Sequence, residues 1–406
     1  MKNYGIAILV VGLIILSLNP AISQTAKRPV LLVLSMDGFR WDYVNHATTP
    51  TLDSIAKIGV TGVIKPSFPS KTFPNHYTMA TGLTPNSHGL LFNTFFAADL
   101  GEKYDGYKTE CVQDARFYGG EPIWNTAQKQ GLKSFVFFWV GSEAPINDMH
   151  PNKWFPYNEE ISYNSRIDSV IRWLTSPVSE QPNLIMLYNH EPDEKGHKFG
   201  PISDETSAEV ERIDSSLAYL FRNLRNIGLA ENVNIIITTD HGMCPTPQER
   251  YIDLSSMLPR EKLKYWHGES PVLNFNLKDR TDTALFQAIN ATRGLTVYSK
   301  QSIPKRLAFG SNVRIMDYVM IADSAYSFGW GVKKGKYNKG NHGYDPDISD
   351  MQGIFYAIGP NFKKEVNVGL FNNTDLYNLM AKLLGIIPSK NDGNKKTFDA
   401  ATTNQQ

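Results

Sequence analysis

The chain has 406 residues, 41% of them apolar, 12% aromatic and 20% charged, with 41 basic against 40 acidic side chains. This is a globular composition and excludes disordered, collagenous and coiled-coil classes. The balanced charge also argues against a stable grip on polymeric nucleic acid, which needs a basic surface to displace counterions, but leaves a small nucleotide open as a ligand.

The first 23 residues read as an address. Lys2 precedes an apolar run from Gly5 to Leu18, and Ala21 and Ser23 put small residues at the −3 and −1 positions of a cut after Ser23. The run is shorter than the ~20 residues a spanning helix needs. Residues 1–23 are therefore read as a signal peptide, with an uncleaved anchor as the alternative. The mature chain is expected to be exported, periplasmic or secreted, with no stable membrane anchor. In an oxidising compartment only Cys111 and Cys244 could pair, and the sequence leaves open whether they do.

From Val30 onward short apolar runs alternate with amphipathic helices. Val30 to Leu34 is continuous and apolar, as expected of a strand buried on both faces, and similar runs recur at Phe135 to Val140, Leu184 to Leu187, Ile235 to Ile237 and Ile354 to Ile358. Thr49-Pro50, then Leu52, Ile55, Ala56 and Gly59, read as a cap, a first-turn proline, an apolar stripe and a stop. Val210, Ile213, Leu217, Leu220, Phe221 and Leu224 keep the spacing of a long helix ending near Gly228. The alternation predicts an α/β fold: a mostly parallel central sheet with helices on both faces. Residues 24–259 and 336–390 are assigned to this catalytic unit. Residues 260–335 read as a small α+β capping insertion, with alternating segments at Val272 to Leu277 and Val313 to Met316 and a helix over Ala284 to Ala291. A glycine- and lysine-rich stretch then leads to His342. The polar segment 391–406 reads as a frayed tail.

Sheets of this kind bind ligands at the carboxyl ends of their strands. There the chain places Asp37-Gly38, Glu191-Pro192-Asp193 with His197, and Asp240-His241-Gly242. One aspartate after a strand is commonly a turn or cap residue. Three such ends, two with a histidine nearby, point to a metal site, since carboxylates and neutral imidazoles are ligands that zinc accepts.

A second cluster runs Pro66-Ser67-Phe68-Pro69-Ser70-Lys71-Thr72-Phe73-Pro74-Asn75-His76-Tyr77 and on to Gly82. With Asp37-Gly38, Asp193 to His197, Thr239-Asp240-His241-Gly242 and Asn341-His342-Gly343 in that order, the chain resembles the nucleotide pyrophosphatase/phosphodiesterase family of the alkaline phosphatase superfamily, from about Val30 to Gly385. The resemblance implies two zinc ions per chain. One would be held by Asp193, His197 and His342, the other by Asp37, Asp240, His241 and the hydroxyl of Thr72. It implies Thr72 as nucleophile, passing through a covalent phosphothreonine, and Asn93 as amide donor to a non-bridging phosphate oxygen. Phe73, Tyr157 and Tyr188 match positions around a nucleobase. A threonine hydroxyl is a poor nucleophile at neutral pH without a metal, and two metals ~4 Å apart suit an in-line displacement at phosphorus.

The expected partner is a small nucleotide or other phosphodiester, acted on by a monomer. The favoured activity releases a nucleoside 5′-monophosphate. Alternatives are a phosphomonoesterase, with Lys71 nearest to serve the extra charge, a choline-type phospholipid phosphodiesterase, and a catalytically silent metal-binding protein. Two departures from the family pattern, at Asn189-His190 and at Val140 after Trp139, touch the substrate slot and leave the metal set intact. His190 has no assigned role.

Overall fold

The computed structural model describes residues 30–331 and 337–403. The expected leader at 1–23 lies outside these residues, as do Lys333, Lys334 and Lys336. The catalytic unit begins with β1 (Val30–Met36), α1 (Pro50–Ile58), β2 (Val60–Lys65), α2 (Thr72–Thr81), β3 (Ser134–Phe137) and α3 (Tyr163–Leu174). It continues through β4 (Leu184–Asn189), α4 (Asp193–Phe199), α5 (Asp204–Asn226) and β5 (Val233–Thr238). All five predicted apolar runs form strands. The run at Phe135 stops at Phe137 because Phe138 turns to φ 67°, outside strand geometry.

Every residue of β1 is buried because alternate side chains feed different cores. Leu31 and Val33 pack with Tyr77 of α2, while Leu32 and Leu34 pack with Ile213 and Leu217 of α5. That two-sided burial explains why the strand reads as an unbroken apolar run. α5 starts where the Ser203 hydroxyl accepts the Thr206 N–H, a cap that satisfies an otherwise orphaned donor.

The insertion holds β6 (Leu263–Glu269), β7 (Val272–Leu277), α6 (Thr283–Ala291), β8 (Leu295–Ser299) and β9 (Tyr318–Ala322). Its strands form an antiparallel sheet in the order β6-β7-β9-β8. The strand expected at Val313 to Met316 is instead a turn preceding β9. Arg314 is drawn out of any strand pairing: it is buried, bonds the Asp99 carboxylate at 2.8 and 2.9 Å, and donates to the carbonyls of Gly89 and Phe117. These bonds fasten the insertion to the catalytic unit.

The chain then returns to the large sheet as β10 (Gly353–Ile358) and β11 (Val366–Asn372), and α7 (Asp375–Leu384) packs beneath it. The sheet order is β11-β2-β10-β5-β1-β4-β3, parallel except that β10 runs against both of its neighbours. Residues 391–403 are not frayed. Phe398 is buried against Phe355 and Phe371, and the Lys363 and Thr403 N–H groups bond the Ala401 and Asn361 carbonyls. A lone aromatic buried in the main core pins an otherwise polar segment. Cys111 and Cys244 are unpaired; Cys244 is buried and accepts the Ala325 N–H. No helix among the described residues is long and apolar enough to cross a membrane.

Candidate active site

The three carboxyl-end motifs converge because their strands are neighbours in the sheet. The Asp37 N–H extends the β1–β4 ladder onto the Asn189 carbonyl (2.9 Å), fixing the backbone that carries the carboxylate. The Thr239 hydroxyl accepts the Phe39 N–H at 3.1 Å and donates to the His241 carbonyl at 3.0 Å, tying the β5 turn to the β1 turn. Asp193 opens α4, and His197 lies one helical turn along on the same face. Gly38 packs against Asp193 at φ 66°, where a Cβ would come 2.9 Å from Asp193 Oδ1. His342 arrives from the segment that follows the insertion.

Each histidine is held by a backbone carbonyl. His197, His241 and His342 donate Nδ1–H to the carbonyls of Gly340, Gly242 and Ser70, each at 2.8 Å. This assigns the proton to Nδ1 and turns the Nε2 lone pair of all three rings into the site, the arrangement that outer partners impose on metal-binding imidazoles. His241 Nε2 then faces Asp37 Oδ1 at 3.3 Å and Asp240 Oδ2 at 3.1 Å. His197 Nε2 faces Asp193 Oδ2 at 3.4 Å, and His342 Nε2 faces Asp193 Oδ1 at 3.7 Å.

When the carboxylates are ionised, lone pairs therefore meet carboxylate oxygens with no proton between them. Asp37 Oδ1, Asp193 Oδ1 and Asp240 Oδ2 are buried and have no hydrogen-bond partner. Burial, and the mutual repulsion of these carboxylates, raise the pKa values of Asp37 and Asp240 well above the ordinary range; burial also raises Asp193. Burial pushes His241 and His342 well below theirs. Once ionised, these orphaned oxygens repel one another and the imidazole lone pairs beside them, a cost that a bound cation relieves. Asp193, His197 and His342 bring one ligand atom each within 4.8 Å of one another, as do Asp37, Asp193 and His241, and Asp37, His76 and Asp240. These donor sets are of the kind that holds metal ions.

Thr72 is the first residue of α2, and its hydroxyl lies 3.1 Å from His241 Nε2. The helix N-terminus adds its positive end at the same place. Asn93 Oδ1 accepts the Phe73 N–H at 3.0 Å, which leaves the Asn93 amide NH2 as a donor on the cleft wall. Phe73, Asn93, Tyr157 and Tyr188 line one cleft of about 1650 Å³ with Asp37, Thr72, Asp193, His197 and His342. Asp240 and His241 are buried beneath its floor. Tyr188 also bonds Asp37 Oδ2 through its hydroxyl at 2.7 Å, so it fixes that carboxylate as well as facing Tyr157, 6.1 Å away. Lys71 is buried, and its ammonium meets the Ser270 carbonyl at 3.4 Å.

Several neighbours escaped sequence reasoning. His76, which reads as a packing residue, is buried in α2; it donates Nδ1–H to the Thr72 carbonyl at 3.1 Å, accepts from the Ser35 hydroxyl, and lies 3.3 Å from Asp240 Oδ2. Its place four residues after Thr72 was the available signal. Tyr107, 6.3 Å from Phe73, and Trp266 and Trp330 also line the cleft. They come from loops and the insertion, where no periodicity marks them. His190 lines the cleft, with its pKa lowered by burial and by Arg166.

A family model described as type I phosphodiesterase/nucleotide pyrophosphatase matches residues 31–345. The chain belongs to this family. Members of the type I phosphodiesterase/nucleotide pyrophosphatase family similar to it include human ectonucleotide pyrophosphatase/phosphodiesterase family member 5, 35% identical over 384 residues, covering 93% of this chain and 79% of that protein. Human member 1 is 34% identical over 380 residues, covering 90% of this chain and 41% of that protein. A venom phosphodiesterase of Macrovipera lebetinus is 34% identical over 379 residues, covering 89% and 44%. The chain thus spans less than half the length of the latter two. The structure of murine member 5, an inactive threonine-to-alanine variant in complex with AMP, superposes with a TM-score of 0.87 at 34% identity, covering 93% of this chain and all of that one. The fold is that of the family, and the chain is a hydrolase of its phosphodiesterase and nucleotide pyrophosphatase class.

Proposed function

We propose that the protein is a two-zinc nucleotide phosphodiesterase and pyrophosphatase that releases nucleoside 5′-monophosphates through a covalent intermediate on Thr72. The observation that carries this reading is the placement of the Thr72 hydroxyl at a helix N-terminus, 3.1 Å from His241 Nε2 and beside three orphaned carboxylate oxygens. Asp193, His197 and His342 would hold one metal, and Asp37, Asp240 and His241 with Thr72 the other. Bound there, the metals would supply positive charge to the reacting oxygens.

The chain's own groups do the rest. Phe73 and Tyr157 receive the nucleobase by stacking, and the Asn93 amide donates to a non-bridging phosphate oxygen whose charge grows in the transition state. The Thr72 oxygen loses its proton to solvent and forms a bond to phosphorus as the bond to the leaving oxygen breaks, and the leaving group departs as an anion. Water then attacks the same phosphorus from the opposite side, releasing the monophosphate and restoring the Thr72 hydroxyl. One water is consumed per P–O bond cleaved. His76 holds the Thr72 carbonyl and Tyr188 holds Asp37 while this happens.

Export of the mature chain and a monomeric state belong to the same proposal. The test compares hydrolysis of the p-nitrophenyl ester of thymidine 5′-monophosphate with that of p-nitrophenyl phosphate by zinc-loaded protein. The expected result is a large preference for the diester. A preference for the monoester would move the function to a phosphatase, and activity on neither would point to a lipid head group or a silent protein.

A further inference from the structure

Asp37, Asp193, Asp240 and His241 closely follow strands of the large sheet. His342 does not. It stands on residues 339–347, where regular pairing is limited to Gly340 and Asn341 against Pro245 and Cys244. Its place is therefore set by bonds from outside the segment, and these come from two sides. On the side of the catalytic unit, the Ser70 carbonyl accepts His342 Nδ1–H and the Ser70 hydroxyl donates to the Tyr344 carbonyl, both at 2.8 Å. Ser70 is fully buried and stands two residues before Thr72, so one residue laces the Thr72 loop to the segment twice. Between the two bonds the chain passes over Lys71 at Gly343, φ 118°, where a Cβ would come 2.6 Å from Lys71 Cε. Lys65 of β2 reaches Asp347 Oδ1 at 3.2 Å.

The insertion holds the other side. The Ser270 carbonyl accepts from Asn341 Nδ2 at 2.9 Å, and the Tyr326 carbonyl accepts the Tyr344 hydroxyl at 2.7 Å. Arg306 forks onto both oxygens of Asp345, with Nη1 at 2.7 Å from Oδ1, and the same Nη1 lies 2.9 Å from Asp347 Oδ2. A two-point guanidinium fork fixes the plane of a carboxylate as well as its distance, which a single point charge does not. What the segment carries needs that accuracy: the His342 ring stacks on His241 at 3.6 Å, and its Nε2 lies 3.7 Å from Asp193 Oδ1. Metal–ligand distances tolerate only ~0.2 Å, so a segment loosened on either side loses its hold on a metal first.

We infer that Ser70 and Arg306 are positioning residues for His342: Ser70 through its two bonds and Arg306 through Asp345 and Asp347 clamp the segment between the Thr72 loop and the insertion, and so set how tightly the metal at Asp193, His197 and His342 is held. This inference rests on the two-metal reading above. Neither residue lines the cleft, and Arg306 is exposed, so both act through the segment and not on a substrate. The insertion then serves the metal site as well as the walls of the cleft.

The test titrates zinc content against buffered free zinc for the full chain and its Ser70→Ala, Ser70→Thr, Arg306→Ala and Arg306→Lys variants, and records kcat on the thymidine ester at each zinc level. One of the two zinc sites is expected to weaken about tenfold in Ser70→Ala, the low end of what loss of an outer partner costs. In Arg306→Ala the same site should weaken by a few fold, as suits an exposed pair. The other site should not move. Ser70→Thr keeps the hydroxyl and Arg306→Lys keeps the charge without the fork, so each should fall between its alanine variant and the parent. Saturating zinc should return kcat of Arg306→Ala close to that of the parent, which a general loss of structure would not allow, and circular dichroism checks the fold. Zinc binding unchanged in both alanine variants, or weakened equally at both sites, would overturn the inference while leaving the two-metal reading in place. A parent protein that binds no zinc would overturn both.

Discussion

Asp240 and His241, at the end of β5, are fully buried, and their turn is tied to that of β1 through Thr239. Tyr157 and Trp266, on the walls of the same cleft, are 45% and 41% exposed and come from a loop and from the insertion. The floor is thus carried on neighbouring strands whose register leaves little freedom. The walls are carried on segments that can change without disturbing that register. A scaffold divided in this way keeps its chemistry fixed while its selectivity varies. The floor should fail in kcat and metal content, and the walls in KM and substrate ratio.

The largest expected effect is on the floor. Thr72→Ala should lower kcat on the thymidine ester by roughly three orders of magnitude or more while metal content measured by elemental analysis stays near that of the parent. A variant as active as the parent would remove Thr72 from the mechanism. His342→Ala should come next, losing one metal per chain and at least about a hundredfold in kcat/KM, since a ligand matters at least as much as the outer partners whose loss costs ~10- to 100-fold. Retention of both metals would show that the Asp193 and His197 pair suffices. On the wall, Tyr157→Ala should raise KM for a nucleotide ester about tenfold with kcat changed less. A fall in kcat with unchanged KM would mean that the wall and the floor are coupled.

The smallest effect is on stability. Asp37, Asp193 and Asp240 have pKa values raised in the metal-free fold by burial. Such groups favour the fold most when protonated, so their contribution is present below the ordinary carboxylate range and is lost as pH rises through the raised values. Melting of chelator-treated protein should therefore fall as pH rises across that window, and the increment gained on adding zinc should grow. An increment that shrinks as pH rises would contradict the assignment of these carboxylates as ligands.

The same division governs what the sequence could reveal. β1, β4 and β5 announce themselves because burial on both faces demands unbroken apolar runs, and each ends in a motif rich in metal-ligand side chains. β2 and β11 do not. Gly62 interrupts the first, and exposed Asn367 and Gly369 dilute the second, which lies at the sheet edge. Val313 to Met316 has the alternation of a strand, but the bonds Arg314 makes to Asp99 and two carbonyls take precedence. Phe398 looks like a stray aromatic in a polar segment until Phe355 and Phe371 are brought beside it. Trp266 and Trp330 belong to no apolar stripe, because what they face is the cleft and not a core. His76 shows the limit from the other side: its spacing from Thr72 was visible, but its approach to Asp240 depends on how α2 lies across the sheet.

The central claim is a double displacement at phosphorus through Thr72, and stereochemistry tests it most directly. A nucleotide ester made chiral at phosphorus with sulfur and an oxygen isotope is hydrolysed, and the configuration of the monophosphate product is determined. Two in-line steps, the first by Thr72 and the second by water, predict net retention. Inversion would mean that water attacks the substrate directly and that Thr72 never carries the nucleotidyl group.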